Sequence, residues 1–197
     1  QASDLSALGG KTAATVTVDN AVTISGNTAA VTAAIYTTAT KVEVGAAKVT
    51  ITGDNPTVTQ LNNVANETTG VVTATLAANS LSNLGALTTA GTDVITITVN
   101  DGVSTVNAED LSALGGKTAG VVTVSNAVNI SGTTAQVTGA LVTAGTLVVA
   151  TSATVALDDN PTISELNAIA AKTDGAVTAT LAANSLSNLG ALTTAGT

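Results

Sequence analysis

The stretch TATLAANSLSNLGALTTAGT occupies residues 73–92 and recurs unchanged at 178–197, and DLSALGGKT occupies 4–12 and recurs at 110–118. The chain is therefore nearly two copies of a unit of about 105 residues. Their offset slips by one residue where TITGDNPT (50–57) faces VALDDNPT (155–162), a Gly/Asp/Asn turn of the kind that absorbs an insertion. A finer period of about 26 residues runs inside each copy, with segments starting at Ile24, Ile51, Leu81, Thr105, Ile130, Leu157 and Leu186. Each passes through a capped amphipathic stretch, a Gly or Thr turn and a β-rich stretch.

The β-rich stretches alternate apolar and polar: Val16 and Val18 against Thr15 and Thr17, Val42 and Val44 against Lys41 and Glu43. Ile95, Ile97 and Val99 alternate with Thr96 and Thr98, and Val122 and Val124 flank Thr123. A period of two predicts strands with one buried face. A second short strand is expected after the turns at 19–21 and 125–127. Between strands, apolar residues fall about once per helical turn, as in Val58, Leu61, Val64 and Ile163, Leu166, Ile169. Thr57 with Gln60, Thr133 with Gln136 and Thr162 with Glu165 have the spacing of capping boxes, and Pro56 and Pro161 stand just before two of them. Gly9, Gly10, Gly115 and Gly116 are expected to end helices as glycine C-caps.

Strand, turn, strand and helix repeated at this period predict an α/β solenoid: short parallel β-strands with short helices, about 26 residues per coil and four coils per ~105-residue repeat. Residues 1–104 form the first long repeat and 105–197 a truncated second one, together one continuous solenoid. The repeat breaks off partway through a coil, so a window from a longer array is expected. The rival reading is two globular domains in tandem. Helices pack about 8–10 Å apart and strands about 4.8 Å, so such a coil needs small helix flanks, a role that suits Ala29, Ala30, Ala33 and Ala34.

Composition narrows the chemistry. The 197 residues include no Cys, Met, His, Trp or Phe, and Tyr36 is the one aromatic residue. A Ser-His-Asp triad, a thiol nucleophile, a disulfide and a His/Cys zinc site all need residues that this chain lacks. A net charge of −8 with five scattered lysines argues against nucleic acid, and no apolar run approaches the ~18 residues of a membrane span.

Three features bear on chemistry. GGKT at 9–12 and 115–118 ends like a phosphate-binding loop, but Leu5 and Leu111 stand where that loop needs its first glycine. Asp158, Asp159 and Glu165 are the densest carboxylates, yet Gly53, Asp54 and Gln60 take their places in the first copy, so acid/base work is not supported. Calcium is the one candidate cofactor, with Asp54, Asn55, Asp101, Asp158 and Asp159 as candidate ligands in Asx-rich turns. No EF-hand loop or Ca-binding nonapeptide accompanies them.

Thr15, Thr17, Thr73, Thr75, Thr96, Thr98, Thr123, Thr178 and Thr180 would form a surface ladder if coils stack in register. Such a face suits ice or a glycan, although Lys41 and Glu43 interrupt it, as do residues 147–149. Threonine is also simply a good strand residue. Asn66-Glu67-Thr68 and Asn129-Ile130-Ser131 match the N-glycosylation pattern.

LSALGGKTAGVVTVSNAVNISGTTAQVTGAL (111–141) and the repeated 20-residue stretch resemble the Thr/Ala/Gly-rich repeats of very large secreted surface and adhesin-like proteins of cyanobacteria and other Gram-negative bacteria. The resemblance implies an extracellular or cell-surface location, a dedicated export route and repeats that serve as stalks or fibres. Together these readings predict a non-enzymatic structural segment of an extracellular fibre, filament, stalk or adhesin that self-associates end to end or side by side. The alternative is a surface-binding module for ice or glycan that works through the Thr-lined strand face.

Overall fold

The computed structural model describes residues 1–40, 42–146 and 148–193. The protein is α/β, with short helices and short, parallel strands, and its strands form no closed barrel among the described residues. Lys41 and Leu147, two of the residues expected to interrupt the threonine face, lie outside the described set.

The chain forms two compact units. The first comprises Gln1–Ala77, Ala86–Ile97 and Lys117–Gly120, and the second Ala78–Gly85, Thr98–Gly116 and Val121–Thr197. In the first unit, helices α1 (Ala2–Gly9), α2 (Thr28–Ile35) and α3 (Val58–Ala65) pack in succession. Strand β1 (Val16–Thr17) pairs with β3 (Val42–Glu43), and β2 (Thr23–Gly26) pairs with β4 (Lys48–Ile51). β4 then pairs with β5 (Val72–Thr75), and β5 with the first residues of β6 (Val94–Val99). In the second unit α4 (Leu81–Leu84), α5 (Ala108–Gly115), α6 (Thr134–Leu141) and α7 (Ile163–Ala170) pack in succession, and α8 is Leu186–Leu189. There β8 (Val122–Val124) pairs with β10 (Val148–Val149). β7 (Thr105–Asn107), β9 (Asn129–Gly132), β11 (Thr154–Leu157) and β12 (Val177–Thr178) follow one another in a second parallel ladder.

The register ties the pairing to the sequence period. Val16 faces Val42 and Val122 faces Val148, while Ile24 faces Val49 and Ile130 faces Val155. The two copies thus make the same pairs at corresponding positions. The alternation predicted for the strands holds: Ile95, Ile97 and Val99 are fully buried and Thr96 is exposed. Ile24, Val31, Leu61, Leu87 and Ile95 fill the first unit, and Leu84, Leu111, Leu114, Ile130 and Ile169 the second. Each such side chain contributes about 1.5–3 kcal/mol when removed from water. Tyr36, the only aromatic residue, stays 44% exposed, so the core is filled without an aromatic ring.

The helices start where the sequence says and end for a different reason. All three capping boxes are present: Thr57, Thr133 and Thr162 each accept from the N3 backbone while Gln60, Gln136 and Glu165 reach back to the N-cap N–H. The glycine ends need correcting. Gly10 and Gly116 do follow α1 and α5, but with right-handed φ of −69°, so no left-handed turn calls for glycine there. The requirement lies one residue earlier, because a Cβ on Gly9 would sit 1.9 Å from the Thr40 carbonyl oxygen, and one on Gly115 would sit 2.1 Å from that of Thr146. Of the small residues expected to line the helix flank, Ala34 is buried and Ala30 and Ala33 half-buried, but Ala29 is exposed.

Candidate functional site

The carboxylates singled out for calcium are used largely as helix caps supplied from a later segment. Asp54 Oδ1 accepts the backbone N–H of Thr28 at 2.9 Å and its hydroxyl at 2.8 Å, at the first residue of α2. Asp159 Oδ1 does the same for Thr134 at the start of α6, at 2.8 and 2.5 Å. Asp101 Oδ2 accepts the N–H of Leu81 at 2.7 Å, at the start of α4. A helix N-terminus carries unpaired N–H groups and partial positive charge, which explains the placement of an anion there. The Thr134 hydroxyl, then its N–H, holds the Asp159 carboxyl below the ordinary carboxylate range. The hydroxyl and N–H of Thr162 do the same for Glu165.

Asn55 and Asp158 are exposed neighbours of these caps. Among the described residues no three His, Cys, Asp or Glu side chains converge in a way that could hold a metal ion. Asp54, Asp101 and Asp159 each have a carboxylate oxygen engaged at a helix start.

The threonines form pairs and short rows. Thr75 faces Thr96 across β5 and β6, both exposed, and Thr73 faces Thr50 on one side and Val94 on the other. Thr98 is half-buried on β6. Thr17 has Glu43 as its neighbour, Thr123 has Val149, and Thr178 has Ala156. Thr15 and Thr180 are exposed but lie outside the strands. The face therefore mixes hydroxyl, carboxylate and methyl groups, with Val94 and Val149 more than two-fifths exposed on it. Of the two glycosylation motifs, Asn66 is exposed at the C-cap of α3, while Asn129 lies within β9 and accepts from the Thr154 hydroxyl.

Sequence reasoning missed a third set, a threonine two residues before a glycine. Thr118 is buried, and its hydroxyl accepts the N–H groups of Ile95 and Gly120, both at 2.8 Å, while donating toward the carbonyls of Ile95 and Asp93. Thr68 donates to the Ala47 carbonyl at 2.5 Å and accepts from Gly70, and Thr173 donates to the Ala153 carbonyl and accepts from Gly175. The glycine that follows is needed for contact: a Cβ on Gly70, Gly120 or Gly175 would fall 2.1–2.3 Å from a backbone carbonyl oxygen. Each hydroxyl thus stitches one segment to the strand of the preceding one. Asn62 and Asn167 make matching stitches, bonding to the backbone of Ala86 and Thr88 and of Ala191 and Thr193.

A groove of about 590 Å³ in the second unit is lined by residues of α7, α8 and the segments before them, among them Asn160, Thr162, Asn167, Leu181, Asn184 and Asn188. Its lining holds amides, hydroxyls and methyl groups and no ionisable side chain. Such a surface can hydrogen-bond, but it offers no general acid, base or nucleophile with an activating partner. No helix among the described residues is long and apolar enough to cross a membrane. No protein-family model, curated protein or solved structure matches this chain.

Proposed function

We propose that the chain is a non-enzymatic structural repeat segment of an extracellular fibre, filament, stalk or adhesin, built as an α/β solenoid with coils of about 26 residues. One observation carries this reading: the polar side chains at corresponding positions of the two copies bind backbone one segment away. Asp54 caps Thr28 as Asp159 caps Thr134, Thr68 holds Ala47 as Thr173 holds Ala153, and Asn62 holds Ala86 as Asn167 holds Ala191. Bonds of that kind join a segment to its neighbour and create no chemistry, so their recurrence in both copies favours length over a single working site. The cysteine-free composition, rich in small residues, and the resemblance to secreted repeat proteins support export to the cell surface.

Electron microscopy of the native protein, with and without a calcium chelator, tests this. Filaments with an axial repeat of a few coils are the expected result. Separate compact particles would sink it, and loss of filaments on chelation would add calcium to the reading. A second reading, a surface-binding module for ice or glycan, draws on the adjacent exposed pair Thr75 and Thr96.

A further inference from the structure

The two copies carry different chemistry at one and the same surface position. The C-cap of α2 is Tyr36 and that of the corresponding α6 is Val142, and the two residues donate their N–H groups to the matching carbonyls of Thr32 and Thr138. The strand that follows presents Glu43 in β3 and Val149 in β10, and the segment after the next helix presents Glu67 in one copy and Lys172 in the other. In the second unit these positions border a groove of about 210 Å³, lined by Val121, Leu141, Val142, Val148 and Val149 among others, with Lys172 as the charged member of its lining. In the first unit they hold a ring and two carboxylates. Glu43 and Val149 are both exposed, as are Glu67 and Lys172, so the openness goes with the position in the repeat.

We infer that this groove docks the Tyr36 face of a second copy of this chain, with the ring seated on the valines and Lys172 against the carboxylates of Glu43 and Glu67. Two observations carry this. Tyr36 is the only aromatic residue and stands 44% exposed, although rings are the side chains that bury most surface in a core. A surface tyrosine is the residue type that anchors an interface. The second observation is charge: among the described residues, no ion pair within the chain engages Glu43, Glu67 or Lys172. Carboxylates on one face and an ammonium on the other attract, whereas a Tyr36 face set on another Tyr36 face brings like charges together. The contact joins two different surfaces and is therefore heterologous, which propagates into a ring or an open chain of copies. The inference rests on the fibre reading and supplies a joint between copies.

Stable interfaces take roughly 20–30 residues a side, more than these faces offer, so the contact is read through its concentration dependence. With no Trp and no second Tyr, the ultraviolet emission of the chain comes from Tyr36 alone. Along a concentration series, acrylamide should quench Tyr36 less as the concentration rises, in step with a rising sedimentation coefficient. Lys172→Glu in one protein and Glu43→Lys with Glu67→Lys in another, all at exposed positions, should each weaken association at least about tenfold and leave circular dichroism unchanged. Mixing the two variants should restore association, because opposite charges again meet. Undiminished association of the Lys172→Glu protein, or a mixture no more associated than its components, would overturn the docking. Filaments by microscopy with Tyr36 equally quenched at every concentration would overturn it too and leave the fibre reading standing. Monomers without filaments at every concentration would remove both.

Discussion

The carboxylate of Asp159 takes the N–H and the hydroxyl of Thr134 together, at 2.8 and 2.5 Å, and so closes the open end of a helix that lies 25 residues earlier in the chain. This is a bond between segments made by a group that the sequence offers equally as a turn residue or a calcium ligand. Asp54 and Thr28 repeat it in the first copy at 2.9 and 2.8 Å.

The Asp159 bond makes acid stability its signature. The Thr134 hydroxyl and then its N–H lower the pKa of this carboxyl in the folded state. A carboxylate with a depressed folded value adds stability that is complete above its unfolded value, near 3.9, and is lost as the pH falls through the folded one. Denaturation midpoints in urea measured from pH 7 down to pH 2 should therefore fall on the acid side less steeply in Asp159→Asn than in the unaltered chain. In Thr134→Val, an NMR titration should find the Asp159 carboxyl moved up toward the ordinary value. An identical acid limb in all three proteins would show that the bond does not hold in solution.

The Thr118 hydroxyl accepts two backbone N–H groups and donates toward the carbonyls of Asp93 and Ile95. Valine at this position keeps the shape but leaves the N–H groups of Ile95 and Gly120 without their acceptor in a buried place. Buried donors left unpaired cost about 1–3 kcal/mol each, and surface changes away from such features about 0.5 or less. Thr118→Val should lower the unfolding free energy by at least 1 kcal/mol by urea titration, whereas Thr17→Val, on the exposed side of β1, should stay within about 0.5 kcal/mol. Equal effects would mean that the Thr118 network contributes nothing specific.

These cases show which parts of the fold the sequence exposes to reading. Strand alternation and capping boxes are local: Ile95, Ile97 and Val99, or Thr57 and Gln60, carry their signal within a few residues and are found where expected. The stitches are not local. Thr68 and the Ala47 carbonyl are 21 residues apart, and nothing in a threonine announces a distant backbone partner. The tripeptide Thr-Ala-Gly makes the point: at 118–120 it holds a neighbouring strand, while at 143–145 it is a turn in which Gly145 has nothing near it. Gly10 and Gly116 were legible as helix ends, but the reason for a glycine sits at Gly9 and Gly115, against the carbonyls of Thr40 and Thr146. The threonine face was legible residue by residue. Its mixed character was not, because which residue stands beside which depends on register, as Thr17 beside Glu43 and Thr123 beside Val149 illustrate.

That mixed face bears on the surface-binding alternative. If ice is the ligand, Thr75 and Thr96 are a pair of adjacent exposed hydroxyls available to it. Thr75→Lys combined with Thr96→Lys should then abolish ice-recrystallisation inhibition while circular dichroism stays unchanged. A structural segment predicts no activity to lose and unaltered filaments in the double variant. Inhibition that survives the double substitution would remove this pair from consideration.

The Thr-Ala-Gly tripeptides at 118–120 and 143–145 put the close approach to a test with one kind of substitution in one protein. At Gly120 a Cβ would lie 2.3 Å from the carbonyl oxygen of Ile95 and 2.9 Å from its nitrogen, all backbone that cannot swing aside. Overpacking of this kind forces a backbone shift and costs about 1–3 kcal/mol. At Gly145 no atom lies within 4 Å of the added Cβ and the residue is exposed. Alanine there removes freedom from the unfolded chain and is worth about 0.4–1 kcal/mol in favour of the fold where the backbone accepts it. Gly120→Ala should therefore lower the thermal midpoint and Gly145→Ala leave it level or raise it. The strand that Gly120 touches is held by Thr118 as well, so Gly120→Ala should also speed amide exchange at Ile95. A Gly120→Ala protein as stable as Gly145→Ala, with unchanged exchange at Ile95, would show that the segments do not approach each other this closely.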